Sequence, residues 1–417
     1  MDYVARCIDQ RILRSLGAMG AVFIEGPRAC GKTSTGLQHA RSSIRLDESP
    51  QLVALAELDP RSLLIGEAPR LIDEWQLAPA IWNVIRHEID DRQLSGQFIV
   101  SGSARPADDV RRHSGAGRIS RARMRTMSLA ESGRSSGDVS LSELDAVGQL
   151  SGVRSHLTYQ DLAAEAVRGG WPTLLEATTE DAIEFNESYS ADLMAVDVIQ
   201  AGGVRHDPAK MRRLLVSLAR NVSAEVSIAK LVDDVASNGV EIGRNTVSDY
   251  LDALRAVFAI EEIPAWAASL RSRTRLRQQP KRHLADPALA CALLGLSAAR
   301  LARDPEYFGQ VFEAMAIRDL QVYVERNGGH VYHYRDSGGL EADAIVEYRD
   351  GSWAAIEVKL GASKIAEAEA NLLKLRDERI DLERMGTPRF MAVVTGTEYG
   401  YTMPSGVHVI PLGALSA

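Results

Sequence analysis

The sequence predicts an α/β protein built from more than one domain. Its 417 residues exceed the usual size of a single hydrophobic core, and a hydrophobic content of 45% is enough to fill two or three cores. Short apolar stretches alternate with helical patterns in residues 1–131, as they do in a parallel sheet flanked by helices. A second alternation of helices and strands occupies residues 281–417. The predicted fold class is therefore α/β at both ends of the chain.

The amino-terminal region contains a phosphate-binding loop. Residues 26–33 match the pattern GxxxxGK[ST], and the apolar stretch 21–24 before them predicts the strand that such a loop follows. The pattern places backbone N–H groups around phosphates, a lysine near the β and γ oxygens, and a hydroxyl on Mg²⁺. We therefore predict that this region binds ATP and Mg²⁺. The predicted nucleotide contacts are Gly26, Pro27, Arg28, Ala29, Cys30, Gly31, Lys32, Thr33 and Ser34.

Two adjacent carboxylates follow the apolar strand predicted at residues 70–72. A P-loop enzyme uses such acids to hold Mg²⁺ beside the loop threonine and to orient the attacking water. This assigns Thr33 and Asp73 to the metal and Glu74 to catalysis. The alternative is a buried strand that happens to end in solvated acids. Because the pair follows a phosphate-binding loop, we favour ATP hydrolysis.

Composition and charge narrow the class of protein. No apolar run approaches the length of a membrane span, and the amino terminus lacks the apolar segment of a signal peptide. We therefore expect a cytoplasmic protein with no membrane partner. The three cysteines are widely spaced and form no metal-ligand pattern, which suits a reducing compartment. The formal charge of −8 argues against a uniformly basic coat for nucleic acid but permits local basic patches.

The middle of the chain predicts three smaller units. Residues 132–157 are rich in small polar residues and predict a polar linker or a loosely packed insertion. Residues 158–222 have helical apolar spacing, interrupted at 169–172, which predicts a small helical lid. Residues 223–280 contain two helical stretches separated by a turn, and they predict a winged helix-turn-helix followed by a basic segment.

The second helix of that segment begins with side chains suited to DNA recognition: Arg244, Thr246 and Ser248. In a DNA reader this part of the helix enters the major groove, whereas a packing module that only joins domains is the alternative. A run of basic residues without acids follows: Arg271, Arg273, Arg275, Arg277, Lys281 and Arg282. Alternating arginines on an extended segment would present one charged face. Such a face suits a phosphate backbone better than a solvated loop, so we predict DNA as a partner.

The carboxy-terminal third contains three acids and a lysine with chemical meaning. Glu313 lies on a predicted helix, Asp343 begins a predicted hairpin, and Glu357 and Lys359 end its second strand. The three carboxylates are predicted to bind Mg²⁺, which would polarise a phosphodiester and lower the pKa of a bound water. Lys359 is predicted to orient or activate that water. The alternative is a structural or binding site without cleavage. Arg335 is expected either to contact phosphate or to pair with an acid.

The acids resemble the PD-(D/E)xK core of restriction endonucleases. Nearly the whole chain resembles a large prokaryotic family of AAA-type ATPases joined to a carboxy-terminal domain of uncharacterised function with an endonuclease-like core. The resemblance rests on several motifs in one order: GPRACGKTS at Gly26, LIDEWQLAP at Leu71, VSGSARP at Val100, SGAGR at Ser114, GGWP at Gly169, TVSDYLDAL at Thr246, KRHLADPALA at Lys281, GQVFEAMAIRDL at Gly309, and EADAIVE with IEVKLG.

The resemblance implies an AAA-type P-loop domain, a helical lid, a winged-helix segment and a restriction-endonuclease-like α/β domain. It implies that Ser101 senses the γ-phosphate, with a turn-forming serine as the alternative. It implies that Arg118 acts as an arginine finger, in cis or from a neighbouring subunit of a homo-oligomer, with a domain contact as the alternative.

Three functions are compatible with this organisation. The first is an ATPase acting on nucleic acid, in which the ATP state controls a Mg²⁺-dependent DNA nuclease domain. The second is a nucleotide-regulated DNA- or protein-binding switch with an inactive nuclease-like domain. The third is a STAND-like signalling ATPase that assembles when it senses a ligand.

Overall fold

The computed structural model of the chain describes residues 3–103, 115–194, 207–237, 241–268 and 278–417. Four arginines predicted to contact nucleic acid lie outside these ranges: Arg271, Arg273, Arg275 and Arg277. The chain divides into two compact units. The first comprises Met1–Thr126 with Ala256–Phe258, and the second comprises Met127–Arg255 with Ala259–Ala417. Within the described ranges, no helix has both the length and the apolar character that crossing a membrane requires.

The first unit is built on a five-stranded sheet. Its strands are β1 (Ala21–Glu25), β2 (Ser42–Arg45), β3 (Arg70–Asp73), β4 (Phe98–Gly102) and β5 (Ile119–Arg123). They lie in the order β2-β3-β4-β1-β5, and every neighbouring pair is parallel. Strands β1 and β4 are buried along their whole length, as expected for central strands covered on both faces. The parallel α/β fold predicted for this region is confirmed.

Helices and a cluster of aromatic rings hold this sheet in place. The helices are α1 (Asp9–Ala18), α2 (Lys32–His39), α3 (Pro50–Leu58) and α4 (Ile81–Arg92). On β1, the ring of Phe23 lies 5.4 Å from that of Trp82 and 6.0 Å from that of Trp75, in edge-to-face geometry. All three side chains are almost fully buried. Such aromatic pairs stabilise the core beyond their buried area, and here they fix the strand that leads into the phosphate-binding loop.

The second unit begins with two short strands and a series of helices. The strands are β6 (Val139–Ser140) and β7 (Val153–Arg154), and the helices are α5 (Tyr159–Arg168), α6 (Thr179–Asp192), α7 (Pro208–Arg220), α8 (Ile228–Ala236) and α9 (Arg244–Ala256). A capping box of Thr158 and Asp161 begins α5, and one of Thr178 and Asp181 begins α6. After α9, strands β8 (Ile260–Ile263) and β9 (Lys281–Leu284) form an antiparallel pair.

The remainder of the second unit is a mixed α/β layer. Three helices come first: α10 (Pro287–Leu293), α11 (Ala298–Ala302) and α12 (Pro305–Glu325). Two further helices, α13 (Ile365–Lys374) and α14 (Leu382–Met385), lie between the strands. The strands are β10 (His330–Arg335), β11 (Glu341–Glu347), β12 (Trp353–Lys359), β13 (Met391–Thr395), β14 (Tyr399–Thr402), β15 (His408–Pro411) and β16 (Leu415–Ser416).

The sheet of this layer has seven strands in the order β10-β11-β12-β13-β15-β14-β7. After α12, strands β10, β11 and β12 pair antiparallel in sequence order, and β13 then pairs parallel to β12. A parallel pair needs a long crossover, which α13 provides. The predicted hairpin is observed, with Ala344 opposite Ile356.

Residues 132–157 differ from the predicted loosely packed linker. Strand β6 pairs with β16 at the end of the chain, and β7 pairs with β14 at the edge of the sheet. Four apolar side chains in this polar stretch are buried: Val139, Leu141, Leu144 and Val153. These few apolar residues anchor the segment, whose average composition is that of a loop.

A buried ion network links several of the sequence motifs in the second unit. Arg318 on α12 lies 3.2 Å from a carboxylate oxygen of Asp286 and 2.7 Å from one of Asp319, and both acids are fully buried. Asp286 also accepts a hydrogen bond from the backbone N–H of Gly170, and Asp319 accepts one from that of Leu129. The GGWP, KRHLADPALA and GQVFEAMAIRDL motifs therefore meet at a structural clamp.

Replacing Arg318 with methionine would leave two buried carboxylates without their counter-ion. We expect Arg318→Met to lower the free energy of unfolding by about 3–5 kcal/mol, because breaking a buried pair strands a charge. Urea unfolding followed by circular dichroism measures this loss. Arg384→Met is the matched control, because the Arg384 side chain is 78% exposed. Equal midpoints for the two variants would contradict the clamp.

Candidate functional site

The phosphate-binding loop connects β1 to α2, and two glycines permit its path. Gly31 has φ 101°, a backbone conformation that side chains other than hydrogen rarely allow. A Cβ atom at Gly26 would lie 2.2 Å from the carbonyl oxygen of Met124. The loop therefore approaches its neighbouring backbone more closely than any larger residue permits. It ends at the first turn of α2, whose free N–H groups favour bound anions.

Lys32 is held inside this loop. Its ammonium donates hydrogen bonds to the carbonyl oxygens of Gly26 at 3.1 Å and Pro27 at 2.7 Å, and the residue is only 6% exposed. Carbonyl oxygens satisfy the donors of the ammonium without cancelling its charge. The charge is therefore available to an anion that enters the loop.

Asp73 brings the end of β3 next to the loop. One of its oxygens accepts a hydrogen bond from the Thr33 hydroxyl at 2.8 Å, and the other accepts one from Ser101 at the end of β4. Mg²⁺ binds oxygen ligands and typically takes one or two from the protein and the rest from phosphates and water. The Thr33 hydroxyl and the Asp73 carboxylate fit this requirement. The structure thus brings the predicted metal and sensor residues of the first unit together.

Glu74 is positioned by an unusual backbone conformation. Its φ of 54° and ψ of 43° lie in the left-handed region, which is uncommon for glutamate and frequent at functional sites. Burial raises the pKa of the Glu74 carboxyl, and Asp73 raises it further, whereas Lys32 opposes the shift. A raised pKa makes the carboxylate a better proton acceptor near neutral pH.

Two contacts of this site were not predicted from the sequence. The Gln76 side-chain amide donates to Glu74 and, at 3.4 Å, to the hydroxyl of Ser103. Arg45, at the end of β2, lies with its Nε 3.9 Å from an Asp73 oxygen. Gln76 lies two residues after Glu74, and this short spacing is a usable signal. Arg45 had none, because its proximity depends on the pairing of β2 with β3.

Arg118, the predicted arginine finger, precedes β5 and forms an ion pair within the first unit. Its Nε lies 2.5 Å from an Asp90 oxygen, and both side chains are partly exposed. Exposed pairs of this kind contribute little to stability, so Arg118 is energetically free to exchange Asp90 for another anion.

The predicted acids of the second unit also come together. Glu313 projects from α12, Asp343 from β11, and Glu357 and Lys359 from β12. Lys359 Nζ lies 2.9 Å from an Asp343 oxygen and 2.5 Å from a Glu357 oxygen. A second ammonium was not predicted here: Lys281 Nζ, from β9, lies 2.7 Å from Glu313 and 3.4 Å from Asp343. We call these five residues the carboxylate cluster.

Burial and neighbouring charges shift the pKa values of the acids in this cluster in opposite directions. Burial and the adjacent Asp343 raise the pKa of Glu313 and of Glu357 above their ordinary values. Burial would also raise the pKa of Asp343, but Lys281, Lys359 and the N–H of Val358 outweigh it and hold that pKa low. Two ammonium groups and the raised carboxyl pKa values therefore balance the charge of the cluster from within the protein.

The cluster as it stands does not fit the divalent cation predicted for it. Both oxygens of Asp343 are already engaged, one by Lys281 and the other by Lys359 and the Val358 N–H. Lys281 also contacts the nearest oxygen of Glu313. Across the part of the chain that the structure describes, no group of three His, Cys, Asp or Glu residues is arranged to hold a metal ion.

The predicted nucleic-acid residues that the structure describes lie at the start of α9. Arg244 is exposed and Thr246 and Ser248 are half-buried, while the opposite face of the helix packs inward through Val247 and Leu251. The basic stripe differs from its prediction at its carboxy-terminal end. Lys281 and Arg282 are 6% and 4% exposed, because they lie on β9 and pair with acids of neighbouring elements.

Arg335 and a further group of arginines complete the charged features of this unit. Arg335 pairs with Glu341 at 3.2 Å, which is the ion-pair alternative. Helices α7 and α8 enclose an open cavity of about 360 Å³. Three arginines line it together with one acid: Arg212, Arg213, Arg220 and Asp234. The sequence signal for this patch is the basic stretch at 210–213.

Comparison with protein families assigns the first region. Residues 19–133 match a family model described as an AAA domain. The matched residues include the phosphate-binding loop, Asp73 and Glu74, so this part of the chain is similar to an AAA domain. The rest of the chain matches two domains of unknown function: DUF8612 at residues 159–300 and DUF4143 at residues 308–415. The first of these matches ends within α11 and the second begins within α12, so the helical segment with β8 and β9 and the later α/β layer are matched separately.

Similarity to other proteins extends well beyond residues 19–133. Uncharacterized proteins of Mycobacterium tuberculosis and Mycobacterium bovis are each 28% identical over 347 residues, which is 81% of this chain and 70% of theirs. The Walker-type ATPase PABY2304 of Pyrococcus abyssi is similar over 70% of this chain and 96% of its own, with 15% identity and a TM-score of 0.44. The Aeropyrum pernix ORC1 protein in complex with DNA is similar over 70% and 94%, with 12% identity and a TM-score of 0.27.

Proposed function

We propose that this protein hydrolyses ATP and acts on nucleic acid, and that its nucleotide state regulates the second unit. The observation that carries the ATPase proposal is the convergence of the loop lysine, the threonine hydroxyl and the two acids on one site. In that site Lys32 would contact the β- and γ-phosphates, and Thr33 and Asp73 would hold Mg²⁺. The bound ion would supply charge neutralisation of the phosphates.

The remaining residues of the site have distinct roles in this proposal. Glu74 would accept a proton from the attacking water or orient it, because its carboxylate follows β3 and its pKa is raised by burial. Ser101 shares Asp73 with Thr33, so a change at the γ-phosphate would be felt through one carboxylate. Arg118 would stabilise negative charge on the transferred phosphoryl group, either in cis or from a second subunit of a homo-oligomer.

Glu74→Gln and Lys32→Ala separate hydrolysis from binding. We expect Glu74→Gln to bind ATP normally but to lower kcat by about 100-fold or more, because it removes only the base. Lys32→Ala should weaken ATP binding itself. A coupled phosphate-release assay measures kcat, and fluorescent-nucleotide titration measures affinity. Glu67→Gln, on an exposed residue, is the matched control and should behave as wild type. Full turnover by Glu74→Gln would remove Glu74 from catalysis.

The nucleic-acid part of the proposal concerns residues 208–284. Helices α7, α8 and α9 are followed by the paired strands β8 and β9, an order typical of winged helix-turn-helix domains. The exposed start of α9 carries Arg244, and the arginine-lined cavity lies between α7 and α8. Guanidinium groups bind phosphates through forked hydrogen bonds, so this surface suits a DNA backbone. The alternative is a module that packs against other protein.

Substitution of single arginines tests this surface. We expect Arg244→Ala and Arg212→Ala to weaken duplex DNA binding by about 1–3 kcal/mol each and to reduce its salt dependence, because each removes one phosphate or base contact. Fluorescence anisotropy across a salt series measures both quantities. Arg300→Ala is the control, because Arg300 is an exposed arginine on α11, outside this segment. If all three variants bind as wild type, DNA recognition does not use these helices.

The order of elements in the second unit supports the proposal of a nuclease-like domain. The ion pairs of its acids favour nucleic-acid or protein binding over DNA cleavage. Helix α12, the antiparallel strands β10 to β12, helix α13 and the parallel strand β13 follow the order of an endonuclease-like core, with Glu313, Asp343, Glu357 and Lys359 at the expected places. A Mg²⁺-dependent nuclease would need open oxygen ligands among these acids. Because lysines engage all three acids, we favour a nucleotide-regulated switch with an inactive nuclease-like domain over an ATP-controlled nuclease.

A further inference from the structure

Lys281 lies between two acids of the carboxylate cluster. Its Nζ is 2.7 Å from Glu313 and 3.4 Å from Asp343, and its side chain is 8% exposed. Three carboxyl groups in one buried place repel one another and need a compensating cation. In a metal site a divalent ion fills that need, with oxygen ligands at about 2.0–2.6 Å. Here the Lys281 ammonium group bridges two of the three carboxylates, those of Glu313 and Asp343.

The backbone fixes this ammonium group in the cluster. Lys281 begins β9, where it pairs with Ile263 of β8, and its backbone also bridges to that of Glu225. The next residue, Arg282, is anchored at 2.9 Å to Glu262 and also donates to the carbonyl oxygen of Val226. Because the backbone of Lys281 is paired with two neighbouring segments, the position of its side chain is fixed. The ammonium is therefore a built component of the cluster.

Lys359 cannot perform the same task for Glu313. It spans Asp343 and Glu357 on the other side of the cluster, at 2.9 Å and 2.5 Å. Lys281 is accordingly the cation of the Glu313 and Asp343 pair, and Lys359 that of the Asp343 and Glu357 pair. Removal of Lys281 alone would take the ammonium contact away from Glu313 and from one oxygen of Asp343, and it would leave Glu313 only the weaker electrostatic attraction of Lys359.

We infer that Lys281 takes the position of a divalent cation in the carboxylate cluster, so that the native protein does not bind metal there. Loss of its ammonium group would convert Glu313, Asp343 and Glu357 into a site for an oxygen-liganded divalent ion such as Mn²⁺ or Mg²⁺. This inference rests on the proposed nuclease-like domain and is independent of ATP hydrolysis.

Mn²⁺ binding without nucleotide tests the inference. The parent is the full chain carrying Asp73→Asn, which removes the carboxylate proposed to bind metal at the P-loop site from every sample. Four proteins are compared: the parent, and the parent with Lys281→Met, with Asp343→Asn, or with both. Free Mn²⁺ is quantified by electron paramagnetic resonance, and thermal unfolding is recorded with and without Mn²⁺.

We expect Lys281→Met to gain one Mn²⁺ site at least about tenfold tighter than any in the parent, because a unit positive charge has been removed from the site. Mn²⁺ should raise the unfolding temperature of that variant and leave the parent unchanged. The added Asp343→Asn should abolish both gains.

Two results would overturn the inference. The first is that the parent binds Mn²⁺ and that adding Asp343→Asn abolishes this binding. This comparison does not depend on the folding of the Lys281 variant. The other is a cooperatively folded Lys281→Met protein that gains no Mn²⁺ site. If Lys281→Met folds only when Mn²⁺ is present, the inference is supported. Steady-state ATP hydrolysis by the wild-type protein remains a separate measurement, so failure of the ATPase proposal is distinguishable.

Discussion

Buried charge must be compensated where it lies, by an opposite charge or by hydrogen bonds, and both units of this protein are organised around that constraint. A buried ion without a partner costs several kcal/mol, so each one fixes the position of the groups that compensate it. In the first unit Asp73 holds the hydroxyls of Thr33 and Ser101. In the second unit, Arg318 forms ion pairs with Asp286 and Asp319. Lys281 of β9 forms ion pairs with an acid of α12 and an acid of β11.

The two acidic sites satisfy this constraint in different ways. Asp73 accepts hydrogen bonds from two neutral hydroxyls, and the Arg45 guanidinium 3.9 Å away is 41% exposed, so much of the negative charge stays available to a cation. Asp343 accepts hydrogen bonds from two ammonium groups and a backbone N–H, and the two ammonium groups neutralise its charge. The first arrangement suits a site that gains and loses a metal with its nucleotide. The second suits a site that keeps its shape without a metal.

Sequence predicted the parts of these sites that are local. The loop between β1 and α2, and the hairpin of β11 and β12, are set by residues close together in the chain, so their spacing carries the information. Lys281 was assigned to an exposed basic stripe because its neighbours in sequence are basic. It contacts Asp343, which lies 62 residues away, and that contact depends on tertiary packing. The polar segment at 132–157 was misjudged for a similar reason, since its partners are the last strands of the chain.

We propose that only one of the two acidic sites takes a divalent cation. Anomalous diffraction from crystals of the wild-type protein, grown with Mn²⁺ and a non-hydrolysable ATP analogue, tests it directly. We expect a manganese peak beside Thr33 and Asp73, and none between Glu313 and Asp343. A manganese peak in the carboxylate cluster, with Lys281 displaced, would contradict it.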